Sequence, residues 1–125
     1  MPRKRKDPVV LVIEEDEQIR ESLSDMLTER GWGAIGVRTA GLGIELLERG
    51  FRPRVIVLDP FTQNGAQHFK HELAAREPLD QIPLLVGPGG LAAGVERTLR
   101  CEHHLHAPLD VSELIRLVHT YCRGW

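Results

Sequence analysis

Three short, nearly unbroken aliphatic runs constrain this chain more than any other feature: Val9-Val10-Leu11-Val12-Ile13, Arg54-Val55-Ile56-Val57-Leu58 and Ile82-Pro83-Leu84-Leu85-Val86. They are rich in β-branched residues and lack the apolar/polar alternation of a strand with one wet face. Strands of this kind are buried on both faces, which is the mark of a parallel sheet covered by helices on either side. Two weaker segments, Gly33-Ala34-Ile35-Gly36-Val37 and His103-His104-Leu105-His106, mix apolar with small or polar residues and suit the edges of that sheet.

Between the runs, apolar residues recur at helical spacing. Ile19, Leu23, Met26 and Leu27 precede Gly31; Ile44 and Leu47 precede Gly50; Phe69 and Leu73 follow Gly65; Val111, Leu114, Ile115 and Val118 mark a last helix. A weaker helical stretch, Leu91 to Arg100, is entered through Gly-Pro-Gly-Gly. Strand and helix thus alternate five times. Right-handed crossovers then predict an α/β fold, a single doubly wound five-stranded parallel sheet with strand order 2-1-3-4-5, the flavodoxin-like arrangement. Functional groups in such a sheet collect where the carboxyl ends of the strands open beside the switch point.

Size and composition agree with one domain. A chain of 125 residues buries about two-thirds of its extended surface, enough for one core. Hydrophobic residues make up 42% and charged residues 27%, which excludes disorder, and 5% aromatic residues requires an aliphatic core. The expected organisation is a basic flexible tail over 1–8, a folded domain over 9–121 and a short C-terminal tail over 122–125. No apolar run approaches the roughly 20 residues of a membrane span, and Met-Pro-Arg-Lys-Arg-Lys lacks the apolar stretch of a signal peptide, so a cytoplasmic location is expected. Cys101 and Cys122 have neither metal spacing nor the density of a disulfide framework and read as reduced thiols.

The net charge of −2 conceals an asymmetry. Four of the sixteen basic residues, Arg3, Lys4, Arg5 and Lys6, stand in the first six positions, leaving twelve basic against eighteen acidic side chains in the body. An acidic body repels nucleic acid, so only that tail offers a route to phosphates, and its plain reading is a solvated terminus.

The first aliphatic run passes straight into Glu14-Glu15-Asp16-Glu17, and the third strand delivers Asp59. In the expected strand order these strands are neighbours, so carboxylates from both converge at one mouth. Clustered acids repel unless a cation intervenes, and an oxygen-rich site suits Mg²⁺, with Glu15 and Asp59 as the weak candidate ligands. Asp16, Glu17 and Glu21 are better read as helix-start acids that cap the helix and complement its dipole. Asp59, placed after an apolar strand, reads as a site residue. His103, His104 and His106 do not form a metal site, because neighbouring strand residues face opposite ways.

Val-Leu-Val-Ile-Glu-Glu-Asp-Glu-Gln-Ile-Arg (10–20), Val-Ile-Val-Leu-Asp (55–59), Ile-Pro-Leu-Leu-Val (82–86) and Ala-Pro-Leu-Asp-Val-Ser-Glu-Leu (107–114) together resemble the landmarks of response-regulator receiver domains of the CheY-like type, over about residues 9 to 121. The resemblance implies a (βα)5 fold and phosphoryl transfer from a histidine kinase to Asp59, with Mg²⁺ held on the acid pair Glu14 and Glu15. Each of these glutamates is one methylene longer than the family's usual aspartate. A lysine and a Ser/Thr normally grip the phosphoryl oxygens, since a dianion growing among carboxylates needs cations and donors around it.

The chain departs from that pattern at the grip. Pro88 stands where the Ser/Thr hydroxyl belongs and offers neither hydroxyl nor N–H. Ala107, before Pro108, replaces the lysine; His104 occupies the aromatic switch position; and Lys70, the only lysine after residue 6, falls on the third helix. With acceptor retained and clamp and switch removed, the chain reads as an atypical receiver, a pseudo-receiver.

The expected function is that of a stand-alone signalling protein without enzymatic activity. It would act by contact with a protein partner, a histidine kinase or another regulatory protein, through the face built by 91–100, the fifth strand and the last helix. Leu105, Pro108 and Arg116 mark that face. No cofactor is required. The alternative is a phosphorylatable response regulator using Asp59 with Mg²⁺. A flavodoxin-type cofactor binder is remote, because the first loop is acidic and lacks a phosphate-receiving nest.

Overall fold

The computed structural model describes residues 8–59, 65–86, 103–104 and 111–123. The strands are β1 (Pro8–Ile13), β2 (Gly33–Val37), β3 (Val55–Leu58), β4 (Leu84–Val86) and the two-residue β5 (His103–His104). The helices are α1 (Glu17–Glu29), α2 (Ala40–Glu48), α3 (Gly65–Ala74) and α4 (Val111–Tyr121), with a 3-10 turn at Leu79–Gln81. The fold is α/β with a parallel sheet ordered β2-β1-β3-β4, and β5 contributes a short pairing at the outer side of β4. The predicted helix over 91–100 lies outside the described residues, as do Leu105 and His106.

Each strand divides its side chains between two helical layers by parity, as the period of two demands. Leu11 and Ile13 of β1, Ile56 and Leu58 of β3, and Leu84 and Val86 of β4 face one layer, where they pack with Ala40, Ile44 and Leu47 of α2 and Phe69 and Leu73 of α3. Val10 and Val12, Val55 and Val57, and Leu85 face the other, against Leu23 and Leu27 of α1 and Leu114, Leu117 and Val118 of α4. This sorting accounts for the unbroken apolar runs, because neither face of the three central strands meets water.

Local chemistry sets the helix ends. Asp16 caps α1 by accepting a hydrogen bond from the Ile19 N–H at 3.1 Å, as its position after β1 predicts. Thr39 does the same for α2 through the Leu42 N–H at 3.1 Å. At Gly31, φ is +94°, a left-handed conformation that lets the chain turn from α1 into β2. Gly43 plays a different part: a Cβ there would stand 2.8 Å from Ile13 Cδ1, so its missing side chain lets α2 lie close on β1.

Several details differ from the sequence reading. Ile19 is 42% exposed, because Leu23, Met26 and Leu27 suffice to seat α1 and the first turn projects past the sheet. Arg54 precedes β3, and Ile82-Pro83 precede β4; Ile82 instead packs beside Leu79 from the 3-10 turn. Pro8 already belongs to β1, and Cys122, inside the stretch expected to be a tail, is 1% exposed in the α1/α4 layer. Burial pushes the Cys122 thiol up to about 11, with nearby Arg54 opposing it, so it stays protonated and inert. No helix among the described residues is long and apolar enough to cross a membrane.

Candidate functional site

Glu14 and Asp59 are set side by side by the register of the sheet. Ile13 pairs with Leu58 in the parallel β1/β3 ladder, so the next residue of each strand emerges at the same level. The backbone continues the ladder one step: the Asp59 N–H donates to the Ile13 carbonyl at 2.9 Å, and the Glu14 N–H donates to the Val37 carbonyl at 3.0 Å. Both side chains are buried, with Glu14 7% and Asp59 9% exposed.

The Asp59 carboxyl lies close enough to Glu14 to act on it through its charge and through side-chain hydrogen bonding. Burial pushes the Glu14 carboxyl above its ordinary value of 4.5, and the adjacent Asp59 charge and the shared hydrogen bond push it the same way. The Asp16 N–H, donating to Glu14 Oε2 at 2.9 Å, opposes these effects only partly. Two carboxyls this close resist being ionised together, which is the direction in which Glu14 is pushed.

Arg20 holds the turn that aims Glu14 inward. Its Nη1 donates to the carbonyl oxygens of Glu14 at 3.0 Å and Glu15 at 3.3 Å. The stem of Arg20 crosses β2 at Gly36, where a Cβ would come within 2.7 Å of Arg20 Cγ. Sequence reasoning missed Arg20, and its only signal is a glycine facing it on β2, visible once the strand register is known.

The acid pair expected from the sequence is therefore split. Glu14 turns into the fold beside Asp59, whereas Glu15 is exposed, like Asp16 and Glu17. Among the described residues no three Asp, Glu, His or Cys side chains gather in a way that would hold a metal ion. Among the described residues the donor set is short for Mg²⁺ as arranged, because only Glu14 and Asp59 come together while Glu15 stands exposed. Pro88, Ala107 and Pro108 and the tail residues Arg3, Lys4, Arg5 and Lys6 lie outside the described residues, as does Leu105. His104 takes its backbone place opposite Val86.

No protein-family model matches the sequence, and no curated protein does. Solved structures match closely in shape. Their common fold is the response-regulator receiver domain. A response regulator receiver protein from Pseudomonas putida aligns with a TM-score of 0.84 at 24% identity, covering 92% of this chain and 98% of its own. The signal receiver domain of a signal transduction histidine kinase from Syntrophus aciditrophicus aligns at 0.79 and 21% identity, covering 90% and 87%. The receiver domain of a sensor histidine kinase from Pseudomonas aeruginosa, with a magnesium ion coordinated in its active site cleft, aligns at 0.78 and 19% identity, covering 90% and 94%.

The Glu14–Asp59 pair makes a measurable statement about stability. A carboxyl whose folded value is raised favours the native state below its unfolded value and loses that contribution as pH rises through the folded value. Asp59→Asn removes the facing charge and leaves an amide that can donate to Glu14. The variant should be more stable than the parent by about 1 kcal/mol at neutral pH, with the gain shrinking toward acid. Urea unfolding from pH 5 to 8 checks this, and a destabilised variant would mean that Asp59 anchors a structural network instead.

Proposed function

We propose that this chain is a receiver-like signalling protein of the two-component kind, acting by protein–protein contact independently of conventional aspartyl phosphorylation. The observation that carries the reading is the Glu14–Asp59 pair. Where a receiver needs an acceptor carboxylate open to a phosphoryl group and a cation beside it, this chain sets a buried glutamate, its carboxyl pushed above the ordinary value, directly against a buried Asp59. The sequence adds to this through Pro88 and Ala107, which remove the hydroxyl and the cation expected to grip the phosphoryl oxygens. Two lost contacts of roughly 2–4 kcal/mol each in a transition state slow transfer by several powers of ten.

In this reading the segment 87–110 completes a five-stranded (βα)5 receiver and the protein performs no catalysis. It works in the cytoplasm, needs no bound metal, and has a histidine kinase or another signalling protein as its partner. A phosphorylatable response regulator is the second reading, favoured by Asp59 standing at the carboxyl end of β3 and by the magnesium held in the cleft of the Pseudomonas aeruginosa receiver domain. Intact mass after incubation with acetyl phosphate and Mg²⁺ separates the two. The mass should stay unchanged, and stable phosphate mapped to Asp59 within minutes would give the assignment to the second reading.

A further inference from the structure

Arg116 lines a groove of about 500 Å³ between the end of α1 and α4. The groove is floored by Trp32 and Ile115 and rimmed by Arg30, Arg116, His119 and Ser112. Trp32 and His119 meet edge to face, with ring centroids 6.2 Å apart and planes at 60°. Arg30 and Trp32 stand just before β2, at the opposite end of the sheet from Glu14 and Asp59, so this site is separate from the carboxyl mouth.

Most other arginines among the described residues are engaged, Arg38 and Arg123 excepted. Arg20, Arg52 and Arg54 donate to backbone carbonyls, and Arg49 and Arg76 pair with glutamates. Arg30 and Arg116 are exposed, and neither guanidinium has a hydrogen bond or ion pair among the described residues. Two unengaged guanidinium groups beside an imidazole form a cationic rim on a body with an excess of acidic residues. Such a rim selects for an anion, and planar guanidinium forks match phosphate oxygens in particular.

We propose that this groove binds a phosphorylated aromatic small molecule of nucleotide size. The phosphate is taken by Arg30 and Arg116, and the ring lies against Ile115 and the Trp32–His119 pair, where arginine planes also stack. A volume of about 500 Å³ falls within the roughly 300–1,000 Å³ of small-molecule sites, and an apolar floor with a few convergent polar groups is their usual make-up.

The test is a titration of the full ¹⁵N-labelled chain with AMP, GMP, CMP and UMP at millimolar concentration, followed by NMR. At least one nucleotide should shift Arg30, Ile115, Arg116, His119 and the Trp32 indole N–H saturably. Its nucleoside and inorganic phosphate alone should each bind about tenfold more weakly or worse. Replacing both exposed arginines, Arg30→Ala with Arg116→Ala, should leave the spectrum of the fold intact and weaken nucleotide binding by about tenfold or more, while Asp59→Asn binds as the parent does. The proposal fails if no nucleotide gives saturable shifts, if the shifts fall elsewhere, or if the double variant binds equally well. A glutamate-rich peptide that moves these resonances where nucleotides do not would also overturn it, assigning the groove to a protein partner.

Discussion

Phe69→Ala should lower the stability of this protein by about 3–5 kcal/mol, a large share of the 5–15 kcal/mol that holds a typical domain together. Phe69 is fully buried and is the largest such side chain among the described residues. It joins α3 to the layer formed by Ile56, Leu58, Leu84 and Val86, with Leu79 and Ile82 closing around it. In a core built almost wholly of aliphatic groups, no neighbour is large enough to refill the space a phenyl ring leaves, so the cavity remains. Urea unfolding should show a lower midpoint with an unchanged slope. A loss below about 1 kcal/mol would mean that α3 collapses onto the sheet and that its packing is loose.

Gly43→Val should cost about 1–3 kcal/mol by the opposite route, overpacking. The new Cβ would lie 2.8 Å from Ile13 Cδ1 and 3.4 Å from Ile13 Cγ1, and Ile13 is fully buried with nowhere to move. Helix propensity alone would slightly favour valine over glycine, so a net loss isolates the steric effect. Ile13 immediately precedes Glu14, and the same substitution should disturb the carboxyl pair. Thermal unfolding decides the matter: a variant as stable as the parent would show that α2 and β1 are not in close contact.

The parts of this fold legible in the sequence were those decided by burial. Val9–Ile13, Val55–Leu58 and Leu84–Val86 are apolar at every position because both faces of each strand are covered, and a strand with one wet face would have interrupted each run with polar residues. Ile19 misled because three helical matches in four suffice to seat an amphipathic helix, and nothing local says which member of the stripe overhangs the sheet. Leu117 and Trp32 escaped notice for the complementary reason, since their burial depends on α1 and α4 meeting across one face of the sheet.

The site was legible in kind but not in geometry. Asp59 after β3 and acids after β1 announced a carboxyl mouth, but two adjacent glutamates cannot tell from sequence which one turns inward. The direction of the chain after Ile13 decides that, and Arg20 sets it from six residues away by holding the carbonyls of Glu14 and Glu15. Arg116 shows the same limit: its position on the last helix was evident, whereas the neighbour it faces, Arg30 at the end of α1, depends on how the helices pack.

The raised Glu14 carboxyl also gives folding a proton stoichiometry. In the unfolded chain this group ionises near its ordinary value of 4.5, and in the native state it holds its proton to higher pH. Between those two values each molecule that folds draws part of a proton from the buffer and each that unfolds returns it. The heat of unfolding in that range should therefore contain the ionisation heat of whatever buffer is present, so calorimetric enthalpies of this protein should differ between acetate and amine buffers even where the free energies agree.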